Sequence, residues 1–460
     1  MIVRFIAFFF VLSRRNKKPM SSKPLISEPL KTLVSKSEQT RSLILAAAAR
    51  LFRDQGYTAS TLRKIAAAAG IAAGSIYYHF NSKDEILDEV LDLGLRQVFE
   101  AVKETRAACE AQGEGFREIF AAMVHTHLTY LLQASDFTSS NIRNFSMLPT
   151  AMRERHRPLR RAYADEWDDA LGKALAAGSI RSDIKIVPLR QFVIGALNWT
   201  VEWFDANRYS IEIFSNKATE LILDGMLTEP GKPVVEKIFP EGDQVNLLMS
   251  EGSKAAQTRS HILSSAAKVM RNRGFKASTV RHIADAAGME AGSIYYHFSS
   301  KSEILDEVLD RGLRDLFEGV AKVLADETHF PDHRGRIAAA IRTHMMFLFA
   351  RSEFSSANLR IYGHLPEKVR ARHRPIRHDY SRVWDKSLNM AREAGKIRPD
   401  IEIVPLRQVM LGALNWTVEW FDPAEGERAG FYTLQEMIVM LQTLLLDGIV
   451  RHYADRGSGG

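Results

Sequence analysis

An eleven-residue stretch decides the fold of this chain: Gly70-Ile71-Ala72-Ala73-Gly74-Ser75-Ile76-Tyr77-Tyr78-His79-Phe80. It returns 218 positions later as Gly288-Met289-Glu290-Ala291-Gly292-Ser293-Ile294-Tyr295-Tyr296-His297-Phe298. Residues 85–92 return as 303–310, and residues 195–205 return unchanged as 412–422. A unit of roughly 190–200 residues is therefore duplicated whole, and because this is far longer than a solenoid repeat we predict two folded copies.

The residues around this stretch have helical periodicity, and no convincing strand pattern accompanies them. We expect Gly56 to end a first helix in the left-handed conformation, and Ser60 or Thr61 to cap a short second helix. A third short helix is expected from Ala73 to His79, and a capping box at 82–85 predicts a long fourth helix. The sequence therefore predicts an all-α chain with a helix-turn-helix in each copy.

Proline and glycine residues between the two copies predict a linker. At the amino terminus, the first 20 residues contain basic residues and no acidic ones. These 20 residues supply +5 of the net charge of +7, so the rest of the chain is nearly neutral. The apolar run of this leader is too short to span a bilayer. We expect it to be nonfunctional, with Met20 as the working start. The predicted domains are a leader (1–36), a helix-turn-helix module (38–98), a helical bundle (99–226), a linker (227–255), a second module (256–316), a second bundle (317–452) and a tail (453–460).

The composition and the motifs argue against several classes of protein. One cysteine, Cys109, excludes a disulfide framework and a multi-cysteine zinc site. No nucleophile elbow, phosphate-cradling glycine loop or His-Glu-x-x-His is present, so we expect no enzyme, no metal and no cofactor. His125 and His127 have metal-like spacing, but only His127 recurs, as His344, which favours a structural or solvent role. We expect a cytoplasmic location.

Local charge indicates where a polyanion would bind. Residues 38–83 carry six Lys or Arg and two acids, and residues 256–301 carry seven and two. The helices that follow begin with acidic residues such as Asp84 and Glu85. We therefore expect a polyanion to contact the first three helices of each copy; a solvated surface is the alternative.

The run Gly-x-x-x-Gly-Ser-Ile-Tyr-Tyr-His-Phe-x-Ser-Lys closely resembles the DNA-binding domain of TetR-family transcriptional regulators. The resemblance covers residues 37–226 and 255–450. It implies a three-helix DNA-binding domain followed by a helical ligand-binding and dimerisation bundle, present twice. One departure concerns Ala72, where the family has a capping Ser or Thr, and Glu290 caps poorly at the matching position; this costs about 1 kcal/mol per helix.

The resemblance also implies which residues contact double-stranded DNA. Ala73, Gly74, Ser75 and Tyr78 should face the major groove, and Ile76 and Phe80 should pack in the core. A core role for Tyr77 and a capping role for His79 are the alternatives to phosphate contact. The complete predicted set is Ser60, Thr61, Lys64, Ala73, Gly74, Ser75, Tyr77, Tyr78, His79 and Lys83, with Ser278, Thr279, His282, Glu290, Ala291, Gly292, Ser293, Tyr295, Tyr296, His297 and Lys301.

The bundles offer candidate effector contacts. Arginines cluster around Pro158 and Pro375, either as a solvated or salt-bridged surface or as an anchor for an anionic ligand. The candidates are Arg155, Arg157, Arg160 and Trp199, with Arg372, Arg374, Arg377 and Trp416. For the Trp pairs, core packing is the alternative. The bundles are similar to those of acyl-CoA-responsive regulators, which implies an acyl-CoA or another apolar effector, and the family's last two helices form the dimer interface.

We therefore expect a ligand-released repressor; the alternative is a sensor or scaffold that no longer binds DNA. The two copies should form an intramolecular pseudo-dimer, because the 27 residues 227–253 between the copies reach roughly 90 Å. The rival is a homodimer of chains. The operator should be an imperfect palindrome, because the copies differ at a few matching positions: Lys64 and His282, Ala67 and Asp285, Ile71 and Met289, Ala72 and Glu290.

Overall fold

The computed structural model describes residues 35–145, 148–226, 254–351, 353–362, 365, 367–423 and 432–448. In these ranges every regular element is a helix, which confirms the predicted all-α fold. Most of the leader, the linker and the tail lie outside the described residues, so the predictions for them stay predictions. The α-helices of the first copy are α1 Lys36–Ala59, α2 Leu62–Ala69, α3 Lys83–Ala111, α4 Phe116–Thr129, α5 Asp136–Asn144, α6 Thr150–Ala176, α7 Ile186–Asn198 and α8 Ile211–Asp224.

The second copy repeats this order. Its α-helices are α9 Lys254–Ala277, α10 Val280–Ala287, α11 Ala291–Ile294, α12 Lys301–Leu324, α13 His333–Met346, α14 Glu353–Tyr362, α15 Glu367–Glu393, α16 Ile403–Trp416 and α17 Leu434–Asp447. In the first copy, the segment that matches α11 is a 3₁₀ helix, Ala73–Tyr78.

Short-range chemistry sets the helix ends around each helix-turn-helix. Thr61 caps α2 by accepting a hydrogen bond from the Lys64 amide, and Gly70 ends α2 with a φ of 71°. Ser82 caps α3, but Glu85 accepts from the amide of Asn81 rather than from that of Ser82, so the predicted capping box is only half formed. Gly56 has the expected positive φ of 75°, yet it only kinks α1, which continues to Ala59.

Two compact units divide the chain, and they do not follow the repeat. The first unit contains residues 1–170 and 204–215, and the second contains residues 171–203 and 216–460. The core of the first unit joins α1, α2 and α3, and Ile76 and Phe80 are buried in it, as predicted. The second unit has the matching core, with Ile294 and Phe298, and it also holds α7 and most of α8.

The second unit brings the last helices of both copies together. Helix α7 packs on α16, and the carboxyl end of α8 meets that of α17, where the Met226 amide donates to the Leu445 carbonyl at 3.1 Å. Gly195 of α7 lies against Trp416, and Gly412 of α16 lies against Trp199. Since 195 and 412 are matching positions, as are 199 and 416, the contact is reciprocal.

Candidate nucleic-acid interface

The segment between Ile76 and Phe80 presents two tyrosines to solvent. The two apolar residues are buried, so the side chains between them point outward. Tyr77 is 63% exposed and Tyr78 is 89% exposed. Because large aromatic side chains seldom lie so open without a partner, this surface is a candidate binding site. A core role for Tyr77, the alternative considered from the sequence, is wrong.

The second copy presents the same surface. Tyr295 is 58% exposed and Tyr296 is 90% exposed. Beside the tyrosines, the backbone of Gly74 and Gly292 is open, since a Cβ added to either glycine would meet no atom within 4 Å. Of the other predicted contacts, Ala73 is exposed. Five are half-buried: Ser75, His79, Ala291, Ser293 and His297.

The supporting helix corrects one part of the prediction. Ser60 is buried, and its hydroxyl donates to the Gly56 carbonyl at 2.9 Å. Ser278 is likewise fully buried. Neither hydroxyl can reach a phosphate, because each lies inside the junction of the first two helices of its copy. The neighbouring Thr61 and Thr279 are the N-cap residues of α2 and α10, and Thr61 is exposed.

The two predicted basic contacts at α2 and α10 are not equivalent. The Lys64 ammonium is exposed and folds back on the end of α1, 2.8 Å from the Ala59 carbonyl. The matching His282 is half-buried, and its Nδ1 has no hydrogen-bond partner in the part of the chain described. The first copy therefore carries a fixed positive charge where the second carries an imidazole.

Lys83, predicted as a phosphate ligand, closes the end of α1. Its ammonium donates to the carbonyls of Tyr57 and Ser60, each at 2.9 Å, and lies 3.9 Å from the centre of the Tyr57 ring. Lys301 donates in the same way to the Phe275 and Ser278 carbonyls, at 3.0 and 2.8 Å, and burial lowers its pKa. Both lysines thus hold the module together, whatever they contact beyond it.

We expect Lys83→Ala to lower the free energy of unfolding by about 1–3 kcal/mol, because two carbonyl oxygens lose their donor. Urea denaturation without DNA measures this loss. The matched control is Arg63→Ala, the removal of an exposed cation on α2, which should change stability by no more than about 0.5 kcal/mol. Equal stability of the two variants would contradict a stabilising role for the Lys83 ammonium and would leave phosphate contact as its role.

The two recognition segments, Ala73–Tyr78 in the first copy and α11 in the second, begin without a side-chain cap. Ala72 and Glu290 are the N-cap residues, and neither side chain accepts a hydrogen bond from the helix. This is what the sequence predicted for Ala72, and Glu290 caps no better. The missing cap fits the weak helical character of both segments, a 3₁₀ helix in the first copy and four α-helical residues in the second.

The clustered arginines of the bundles mostly have partners within their own units. Arg155 pairs with Asp88 of α3 at 2.6 Å, beside buried His156, which is 2.9 Å from the same carboxylate. Arg372 pairs with Asp306 of α12 at 2.7 Å. Arg157 is exposed and pairs with Glu154, and Arg374 is exposed. The salt-bridged alternative therefore describes Arg155 and Arg372 better than an effector anchor does.

Arg160 and Arg377 contact a feature that sequence reasoning missed. The Arg160 guanidinium donates to Asn141 Oδ1 at 2.9 Å, and Asn141 in turn donates to the Leu91 carbonyl of α3 at 2.6 Å. Arg377 donates to Asn358, which donates to the Leu309 carbonyl of α12 at 2.7 Å. Burial lowers the pKa of Arg377 to about 10. The signal was the unusual polarity of buried helix α5, Asp136–Asn144.

Trp199 and Trp416, predicted as ligand contacts, each lie against a glycine of the opposite copy in the α7–α16 contact. This position agrees with the packing role that was the alternative for the Trp pairs. Residues 195–205 and 412–422 are identical. This identity alone cannot show whether the motif lines a ligand pocket or an interface.

The histidine shared by both bundles has a structural role, as predicted. His344 is fully buried between Tyr380 and Asn415. Because Asn415 Oδ1 only accepts, His344 Nε2 must donate to it at 3.0 Å, and Nδ1 accepts from the Tyr380 hydroxyl at 2.7 Å. His127 is 2.6 Å from the Tyr163 hydroxyl in the first unit. Burial lowers the pKa of His344 to about 4.

This depressed pKa predicts a loss of stability in acid. The unfolded histidine titrates near pH 6.5, so the contribution is complete above that value and is lost as the pH falls to about 4. The loss should reach about 3 kcal/mol. Urea midpoints at about pH 7 and about pH 4.5 measure it, and His344→Gln should flatten the difference. An equally steep decline in that variant would contradict this assignment.

Two other kinds of site are missing from the described residues. No group of three or more His, Cys, Asp or Glu among them could hold a metal ion. No described helix is both long enough and apolar enough to cross a membrane.

Comparison with known families matches most of each copy. The family described as bacterial regulatory proteins, tetR family, matches residues 44–90 and 262–308. The family described as tetracyclin repressor-like, C-terminal domain, matches residues 113–226 and 331–449. Each of the two family matches begins again 218 positions later, which is the spacing of the duplicated stretch.

Individual relatives match one copy at a time. The HTH-type transcriptional repressor KstR2 of Mycobacterium tuberculosis H37Rv is 29% identical over 198 residues, 42% of this chain and 93% of that protein. The fatty acid metabolism regulator protein of Bacillus subtilis is 25% identical over 189 residues, 40% of this chain and 93% of that protein. These relatives are regulators rather than enzymes.

Among solved structures, the transcriptional regulator FadR from Bacillus subtilis in complex with stearoyl-CoA is 23% identical, with a TM-score of 0.34. The match covers 39% of this chain and 96% of that one. With both families matched twice over more than half of its length, the chain belongs to the tetR family of bacterial regulatory proteins and carries both of the family's domains in tandem.

Proposed function

We propose that this chain is a DNA-binding transcriptional repressor whose two copies act as an intramolecular pseudo-dimer on a near-palindromic operator. The observation that carries the proposal is the pair of open surfaces around Tyr77–Tyr78 and Tyr295–Tyr296. Each lies on the second element of a helix-turn-helix, the element that enters the major groove in such motifs. Tyrosine hydroxyls are suitable partners for phosphates, and small residues beside them allow close approach to base edges.

The contacts inside the second compact unit support the pseudo-dimer. In an isologous interface, residue i of one partner contacts residue j of the other, and j contacts i. The Gly195–Trp416 and Gly412–Trp199 contacts have this form. So do two arginine contacts at matching positions: Arg181 donates to the Gly448 carbonyl and Arg398 to the Gly225 carbonyl, each at 3.5 Å.

DNA binding is tested by a gel retardation assay with the DNA upstream of the gene. Wild-type protein should retard it, and Tyr78→Ala combined with Tyr296→Ala should weaken binding roughly tenfold or more, since each lost hydrogen bond to a base edge costs about 0.5–1.5 kcal/mol. Because both side chains are exposed, thermal stability should not change. Met390→Ala, at an exposed apolar residue of α15, is the control. A stable wild-type protein that binds no such DNA would favour the sensor or scaffold alternative.

Light scattering tests the pseudo-dimer separately. A chain of 51.9 kDa that satisfies its own interface should have that mass at low micromolar concentration. Covalent linkage supports this, because it gives the partner copy an effective concentration in about the millimolar range. A measured mass of twice the chain's would identify a homodimer with four DNA-binding modules.

The effector we propose is an acyl-CoA or another apolar ligand that releases the chain from DNA. Support comes from the similarity of the bundles to acyl-CoA-responsive regulators and from the relative named for fatty acid metabolism. Such a ligand must bind the state that cannot bind DNA more tightly. Titrating the DNA complex with CoA thioesters of different chain lengths tests this, with free CoA as control. A complex that no thioester dissociates would leave other apolar ligands.

A further inference from the structure

The two proposed DNA-contacting surfaces differ in charge although their central residues are identical. Residues 61–79 carry Arg63 and Lys64 and no acid, a formal charge of +2. The matching residues 279–297 carry Arg281, Asp285 and Glu290, a formal charge of −1 with His282 neutral. Taken as a whole, the first DNA-binding module does not have a higher formal charge than the second. The difference of three charges is therefore concentrated on the two helices that would approach DNA.

One of these charge differences lies closer along the chain to the exposed tyrosines than the others. It is the difference between Ala72 in the first copy and the matching Glu290 in the second. The backbones agree, with φ and ψ of −66° and 142° at Ala72 and −74° and 143° at Glu290. Both residues are exposed. Within the described residues, the Glu290 carboxylate makes neither a capping hydrogen bond nor an ion pair. Two equivalent positions on the recognition elements thus offer a methyl group in one copy and an available carboxylate in the other.

These two groups select different bases. An alanine methyl group makes apolar contact with the C5-methyl of thymine, whereas a glutamate carboxylate accepts a hydrogen bond from the N4 amino group of cytosine. We propose that the operator is asymmetric at one equivalent position, with thymine in the half-site read by Ala72 and cytosine in the half-site read by Glu290. This inference rests on the proposed function and adds its base specificity.

A purely electrostatic role for Glu290 makes a different prediction. A carboxylate that only repels phosphates would weaken binding to all sequences about equally. A carboxylate that accepts from cytosine discriminates between base pairs, by roughly 5- to 150-fold for a good contact. The preferred base therefore separates the two roles, and overall affinity does not.

The test is selection of binding sites from a random duplex pool by four full-length proteins. Wild type should yield thymine in one half-site and cytosine in the other. Glu290→Ala should yield thymine in both, and Ala72→Glu should yield cytosine in both. The double variant Ala72→Glu/Glu290→Ala should again yield the mixed operator, because exchanging the two residues only reverses the chain on the DNA.

Glu290→Gln provides the isosteric control. Glutamine pairs with the N6 and N7 of adenine, so the preferred base in that half-site should change from cytosine to adenine. Overturning results would be a perfectly palindromic wild-type site, or a Glu290→Ala protein that binds every sequence more tightly and selects unchanged bases. Failure of the wild-type protein to select any DNA would instead refute the proposed function itself, so the two failures are distinguishable.

Discussion

Gly448→Ala should lower the free energy of unfolding of the second compact unit by about 2–6 kcal/mol. Gly448 has a φ of 77° and a ψ of −174°, a conformation that essentially only glycine adopts and that costs other residues about 1–3 kcal/mol. An added Cβ would also lie 2.5 Å from the carbonyl carbon of Asp224. That atom belongs to the backbone and cannot move aside, which adds about 1–3 kcal/mol of overpacking.

The matched control is Gly395→Ala. Gly395 also has a positive φ, 70°, but an added Cβ there meets nothing within 4 Å. This variant should lose only about 1–2 kcal/mol, the cost of the left-handed conformation. Urea denaturation followed by tryptophan fluorescence compares the two. Equal losses would show that the α8–α17 ends are not in close contact.

The reciprocal position offers an internal repetition of this experiment. Gly225 has a φ of 72°, and its added Cβ would lie 2.5 Å from the Leu446 carbonyl oxygen. Gly225→Ala should therefore be destabilising to a similar degree, with Gly178→Ala (φ of 68°, nothing within 4 Å) as its control. A strong effect at only one of the two positions would contradict a reciprocal contact.

The second large effect is expected at the α7–α16 contact. A Cβ on Gly195 would lie 2.6 Å from the Trp416 ring, and one on Gly412 would lie 2.6 Å from the Trp199 Cβ. Since the base of a tryptophan side chain cannot swing away, each alanine should cost about 1–3 kcal/mol. The double variant should separate the two helices, and we expect it also to lose DNA affinity if the pseudo-dimer is required for binding.

Gly172→Ala is the control for that pair. Gly172 lies within helix α6, and an added Cβ there meets nothing within 4 Å. Alanine should therefore stabilise the helix by up to about 1 kcal/mol. Opposite signs for Gly172→Ala and Gly195→Ala in the same urea series are the expected result. Neutral behaviour at both positions would refute the close packing of α7 on α16.

The features that followed from the sequence depend on neighbours along the chain. The duplication, the helical periodicity and the presence of a cap at Ser60 or Thr61 need only a few consecutive residues. The motif that carries the family resemblance predicts that Ile76 and Phe80 pack in the core, and both are buried. The expectation that Ala72 leaves its helix without a side-chain cap was equally local, and it is confirmed.

Only the tertiary structure decided the features that depend on distant partners. Ser60 and Thr61 are chemically alike, and burial against the end of α1 separates them. The Lys83 ammonium finds carbonyls 23 and 26 residues away, and Arg160 finds Asn141 on another helix. Trp199 lies in a contact with a glycine of the other copy, 213 positions along the chain. Local sequence states what a side chain can bind, but packing determines which partner lies within reach.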